Sequence, residues 1–196
     1  MEKKKAFTLA EVLIVIGIIG VVAAITIPML YNNFRAIVYN AKCKKFQSVM
    51  SNAIRRSVDE NGDITNWNSE VVGGWVSSQK NTAAIAQKIV PYLKVSEDCG
   101  FKPNCMLVVD YKNPNGSKWN TYTNYRDKLF YKVILMDGSH VIMKAQGDNC
   151  NMRDGGYDNT CGYMILDVNG SAPPNQFNKD AFVFEILKDS VVPKKW

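Results

Sequence analysis

The chain has 196 residues, of which 46% are hydrophobic, 21% charged and 11% aromatic. Those are globular values, and they exclude a disordered chain, a collagen-like repeat and a coiled-coil rod. Lys and Arg number 24 against 18 Asp and Glu, a net charge of +6. The excess is spread along the chain without a basic block, which argues against a nucleic-acid arm. His140 is the one histidine, which argues against a His-based triad or a multi-histidine metal site.

The N-terminus is far more apolar than the average. Residues 7–30 read FTLAEVLIVIGIIGVVAAITIPML, with Glu11 as their one charge, and MEKKKA precedes them. At about 1.5 Å per residue this segment is about 36 Å long as a helix, enough for the ~30 Å core of a bilayer with some tilt. A secretory signal peptide would explain Lys3 to Lys5 and a small-residue site at Val22-Ala23-Ala24. Its apolar stretch, however, is about 7–15 residues, and here the run continues through Ile25, Ile27, Met29 and Leu30. A plain uncleaved anchor must accommodate Glu11, and a carboxylate at mid-membrane costs roughly 2.5–3.5 kcal/mol or more.

Lys5-Ala6-Phe7-Thr8-Leu9-Ala10-Glu11-Val12-Leu13 closely resembles the type III signal sequence of type IV pilins and type II secretion pseudopilins. The resemblance covers the first 30 residues tightly: a basic leader, a small residue, Phe, Thr, Leu and Glu occur in fixed order. It implies that prepilin peptidase cuts after Ala6 and N-methylates the new terminus, Phe7. Ala6 replaces the usual Gly, which still leaves a small residue at the cleavage site. Pro28 falls where many family members carry a helix-kinking proline. Thr8-x-x-Glu11 is also a capping-box pattern, which an anchor helix would use by itself. The resemblance adds a partner: the Glu11 carboxylate of one subunit meets the Phe7 amine of a neighbour, so that neither charge stands alone in an apolar setting.

Pro28 lacks an N–H, so a kink is expected near residues 24–28, with Thr26 placed to bond freed carbonyls. Beyond it Phe34, Val38, Ala41, Phe46, Val49, Met50, Ala53 and Ile54 keep helical spacing. Arg35, Lys42, Lys44, Lys45, Arg55 and Arg56 mark the other face. Asn61-Gly62 is the stop, giving one helix from 7 to 60, on the order of 80 Å long. Lys3 to Lys5 argue for a cytoplasmic N-terminus, although Arg35 and Lys42 to Lys45 weaken the charge bias; the resemblance implies N-terminus in and domain out.

Residues 63–81 read as an irregular connection. Residues 82–93 carry Ile85, Ala86, Ile89, Val90 and Leu93, a short amphipathic helix disturbed by Pro91. A short strand is expected at 106–111. Residues 129–136, the Asp137-Gly138 turn and 139–145 form a β-hairpin, and 162–168 with 181–187 a second strand pair. The fold class is α+β: a long N-terminal helix packed on a small antiparallel sheet of about four strands. The expected organisation is a leader at 1–6, a transmembrane and polymerisation segment at 7–30, its continuation at 31–60 and an exported domain at 61–196.

Cys43, Cys99, Cys105, Cys150 and Cys161 would meet an oxidising compartment in an exported domain. The four in the domain allow three connectivities, of which Cys99–Cys105 with Cys150–Cys161 is the local one; Cys43 is left for helix packing. Zinc is disfavoured, since no CxxC pair occurs. A softer resemblance to pseudopilin closing strands lies in Asp167-Val168-Asn169-Gly170, Pro174-Asn175 and Asp180-x-Phe182-x-Phe184. It implies a calcium site at Asp167, Asn169 and Asp180, whose oxygen chemistry suits the ion, although Asp, Asn and Gly are also what turns require. His140, Trp67, Trp75, Trp119 and Trp196 read as core or polar surface, and no nucleophile with a base partner can be assembled.

The expectation is a non-enzymatic, single-pass subunit of the bacterial inner membrane. It would be assembled with other pilin-like subunits by inner-membrane machinery into a type II secretion pseudopilus. The alternative is a minor type IV pilin acting in adhesion or DNA uptake. Removing residues 1–6 takes away three Lys and one Glu, so +6 falls to +4, which gives nucleic acid little to recognise.

Overall fold

The computed structural model describes residues 8–67, 75–107, 109–119, 127–154 and 156–195. The chain divides into two units, Met1–Asn40 and Ala41–Trp196, and helix α1 (Leu9–Asn61) contributes residues to both. In the first unit α1 leaves its large apolar side chains exposed, from Leu9 through Ile18, Ile25 and Leu30 to Ile37. Among the described residues it is the one helix long and apolar enough to cross a membrane.

In the second unit α1 buries Phe46, Met50, Ala53, Ile54 and Ser57, a stripe at three- and four-residue steps. Three positions expected on that stripe, Phe34, Ala41 and Val49, are exposed instead. Val49 stands 42% exposed and Phe34 62%, Val49 because one residue of helix rotates it about 100° from Met50. The helix stops at Gly62, whose N–H reaches the Val58 carbonyl at 2.8 Å with φ +77°, the left-handed turn that glycine adopts without steric cost.

Helix α2 (Trp75–Ile89) begins before the expected residue 82, and Val90–Tyr92 form a 3-10 turn around Pro91. Residues 75–81, expected to be irregular, are therefore its first two turns. Their polar sequence carries little periodicity, and the helix is held by tertiary bonds. Ser57 Oγ donates to the Lys88 carbonyl at 2.7 Å, and the Ala145 N–H donates to Thr82 Oγ1 at 3.1 Å.

The described strands are β1 (Val95–Gly100), β2 (Tyr131–Leu135), β3 (His140–Ala145), β4 (Met152–Asp154), β5 (Tyr157–Thr160), β6 (Gly162–Asp167), β7 (Ala181–Ile186) and β8 (Val191–Pro193). Six form one antiparallel sheet in the order β1-β2-β3-β6-β7-β8, and β4 pairs with β5 in a separate ribbon. The four strands expected from sequence are β2, β3, β6 and β7. The edge strands β1 and β8 bring the main sheet to six.

Both faces of this sheet are covered, which explains the unbroken burial of β6. On the α1 side Met143, Met164 and Phe184 stand in register, and the Phe184 ring lies 5.1 Å from that of Phe46. On the other side Ile142, Ile165 and Val183 pack with Met106, Tyr111, Phe130 and Phe177. The segment 106–111 is not the expected strand among its described residues: Met106 and Tyr111 are core residues of an irregular loop, and Tyr111 stacks on Phe177 at 5.5 Å. Val108 lies outside the described residues.

Candidate functional site

At the start of α1 the backbone leaves N–H groups without carbonyl partners, and Thr8 with Glu11 supplies them. The Thr8 N–H and Oγ1 donate to Glu11 Oε2 at 2.9 and 2.8 Å, and the Glu11 N–H donates to Thr8 Oγ1 at 3.3 Å. This is the reciprocal capping box. It turns the single carboxylate of the apolar segment back toward the helix terminus. Ala6 and Phe7, the expected cleavage and methylation positions, lie outside the described residues.

Pro28 sits inside α1, and lacking an N–H it deprives the Ala24 carbonyl of its intrahelical donor. Thr26 Oγ1 donates at 2.9 Å to the carbonyl of Val22, four residues back, and so does not serve the carbonyl that Pro28 frees. Just beyond, Arg35 is held on both sides. Its guanidinium carbon lies 5.4 Å from the Tyr31 ring centre and 5.3 Å from that of Tyr39, and Nε and Nη2 donate to the Tyr39 hydroxyl at 3.2 and 3.0 Å. Sequence reasoning placed Arg35 on a polar helix face without these partners. Aromatic residues four positions to either side are the signal that could have found them.

In the second unit Asp167, Asn169 and Asp180 come together at the corner between β6 and β7, where the Val168 N–H donates to the Asp180 carbonyl at 3.0 Å. Both carboxylates are buried. Asp167 accepts from the Tyr111 hydroxyl at 2.9 Å and from the Asn169 N–H at 3.4 Å. Asp180 accepts from the N–H groups of Asn175 and Gln176 at 2.9 and 2.8 Å. The Asn169 amide donates to the Ala172 carbonyl at 3.0 Å, while Asn169 Oδ1 and Asn175 Oδ1 are buried without a hydrogen-bond partner. The donor set is hard oxygen, the type calcium takes. All four carboxylate oxygens nevertheless already accept hydrogen bonds within the protein, three of them from backbone N–H groups of local turns and one from the Tyr111 hydroxyl. Burial pushes the Asp167 carboxyl up to about 7, the nearby Asp180 adding to the rise.

Cys99 is bonded to Cys105 and Cys150 to Cys161. Cys43 is free and half-buried, and burial pushes its thiol up to about 11. Glu97 approaches Cys99 and Cys105, but disulfide sulfurs are not the thiolates that bind zinc. His140 packs on Gly170, and burial lowers its pKa. Trp67 donates from Nε1 to the Asn61 carbonyl at 3.2 Å, locking the end of α1. Trp119 packs edge-on to Phe177, in the same cluster as Tyr111. Trp196 lies outside the described residues. A charged group that sequence reasoning missed is Glu185, fully buried in β7 with the Lys194 ammonium at 3.4 Å, itself 2.7 Å from Asp154. In a strand read as one-sided it falls on the solvent face, and the covered second face is what buries it.

Neither a comparison with curated proteins nor one with solved structures gives a match. Residues 1–27 match the model of the prokaryotic N-terminal methylation motif, which makes the N-terminus that of the pilin and pseudopilin class and agrees with the capped, exposed apolar helix. Residues 29–194 match a second model, so that beyond its pilin-like N-terminus the chain belongs to a family of unknown function, DUF6613.

Proposed function

We propose that this protein is a structural subunit of a type II secretion pseudopilus. It is made as a precursor, cut after Ala6 by prepilin peptidase, N-methylated at Phe7 and polymerised through its apolar helix. The observation that carries the reading is the exposed apolar surface of α1 with Glu11 as its one carboxylate. Such a surface needs lipid or neighbouring helices around it. In the membrane the capping box partly screens Glu11; in a filament the Phe7 amine of an axially stepped neighbour neutralises it and selects register. The domain remains outside and forms the filament surface, with its loops held by two disulfides. This work is mechanical, and we assign it no catalysis.

Calcium at Asp167, Asn169 and Asp180 is not part of this reading, because hydrogen bonds within the protein already engage the carboxylate oxygens. A minor type IV pilin acting in adhesion or DNA uptake is the rival, and a salt-dependent shift of DNA would favour it.

Intact mass and N-terminal sequencing of protein taken from native membranes test the proposal. The expected chain starts at N-methylated Phe7. A start at Ile25 would make the segment a signal peptide and end the filament reading. An intact Met1 would leave an anchored protein that the peptidase does not process.

A further inference from the structure

Between Glu11 and Lys42 the sequence carries one charged side chain, Arg35. Twenty-four residues of continuous helix separate Glu11 from Arg35, about 36 Å at 1.5 Å per residue. A bilayer has a hydrocarbon core of about 30 Å and spans about 40–45 Å with its headgroups. A helix placed with Glu11 in one headgroup layer therefore has Arg35 in the other. No other position between them requires a charge in the core.

The surroundings of Arg35 suit that layer. Tyr31 precedes it and Tyr39 follows it by one helical turn each, and both rings flank the guanidinium within 5.5 Å. Tyrosine is enriched where hydrocarbon meets headgroup, because its ring is apolar and its hydroxyl wet. Phe34 and Ile37, on neighbouring positions, are exposed and supply apolar contact to acyl chains. A guanidinium is permanently charged and planar, and it matches two phosphate oxygens at once. Clasped between two rings, it loses less side-chain freedom on binding than an unsupported Arg would.

Resting on the membrane-anchored reading above, we propose that Tyr31, Arg35 and Tyr39 form a binding site for the phosphodiester headgroup of an anionic glycerophospholipid on the domain side of the bilayer, and that this contact fixes how deep the helix sits before it is extracted. The lysines at the opposite end belong to the leader, so after cleavage Arg35 is the cation nearest the apolar segment apart from the new terminus.

The test uses the full processed chain in detergent with equal phosphatidylglycerol and phosphatidylcholine added, and lipid adducts are counted by native mass spectrometry. The wild type is expected to retain phosphatidylglycerol about fivefold over phosphatidylcholine, the preference one basic group near a surface provides. Arg35→Gln should bring the ratio to parity, and Lys44→Gln should leave it unchanged. Wild-type preference in Arg35→Gln, equal loss in Lys44→Gln, or displacement of the lipid by millimolar inorganic phosphate would each overturn the site. Flotation with vesicles separates this from the parent reading. A variant that floats but has lost the preference supports the site, whereas a wild type that fails to float overturns the anchored reading and the site together.

Discussion

On the proposed reading Glu11 has two partners to serve at different times, and they make different demands on its side chain. Capping Thr8 needs an acceptor oxygen; meeting a neighbour's amine needs a negative charge. Glu11→Gln keeps the first and loses the second. Membrane insertion should persist while the yield of sheared, pelletable filament falls roughly tenfold or more, the effect of about 1.4 kcal/mol per contact; an unchanged yield would assign Glu11 to capping alone. Asp167 and Glu185 raise a different question, that of pH. Burial pushes both carboxyls up to about 7, with Asp180 adding to the rise at Asp167 and Asp154 at Glu185. Unfolded, they titrate near 4. The folded chain therefore holds these protons more tightly, so stability is greatest below about pH 4 for these two groups and is lost as pH rises through 7. Thermal unfolding in detergent should occur at lower temperature at pH 8 than at pH 5.5. Asp167→Asn should flatten that profile and be the more stable form at pH 8, by about 2 kcal/mol. Millimolar calcium is expected to leave the wild-type transition unchanged at pH 7, and a rise of several degrees would place a metal at the β6–β7 corner.

At the scale of elements, the strands that sequence reasoning found are those that carry their own signal. β2, β3, β6 and β7 are runs of apolar and β-branched residues, and Asp137-Gly138 marks the turn between the first two, with Gly138 at φ +79°. The edges carry none. β1 reads VSEDCG with three exposed residues, and β8 is three residues ending in Pro193. Such edges form because a neighbour offers hydrogen bonds, and β1 takes them with two register shifts. The corner of Asp167 and the clasp of Arg35 were legible only as residue types, since each depends on which side chains the fold brings beside them. One backbone position in this sheet is also demanding. Gly162 opens β6 at φ +154°, and a Cβ there would collide with the Lys144 carbonyl oxygen of β3. Gly162→Ala should therefore cost about 2–3 kcal/mol, which circular-dichroism melts would read as a fall of about 5–10 °C for a protein of this size.

Over the whole molecule, the N-terminal motif was legible because it is a short, ordered string. The domain was legible only as a class, because its core joins residues far apart in the chain. Lys42 Nζ donates to the Val168 carbonyl at 2.9 Å, Gln47 Nε2 to the Val191 carbonyl at 3.2 Å, and the Val191 N–H to Ser51 Oγ at 3.1 Å. Deleting residues 191–196 removes β8 and two of these bonds. Trypsin should then digest the domain under conditions in which the full chain resists; equal resistance would show that β8 is dispensable.

On the proposed reading, those same bonds impose an order of events on export. The strand that grips α1 leaves the ribosome after α1, β6 and β7, so on that reading it arrives when α1 is already in the membrane. Until residues 191–193 have crossed, the Phe46–Ile54 stripe has only an incomplete sheet to dock on, and the long-range contacts that close the domain cannot form. A docked helix therefore reports that the chain has been made and translocated through β8, and machinery that extracts only docked helices would be proofread against subunits that lack it.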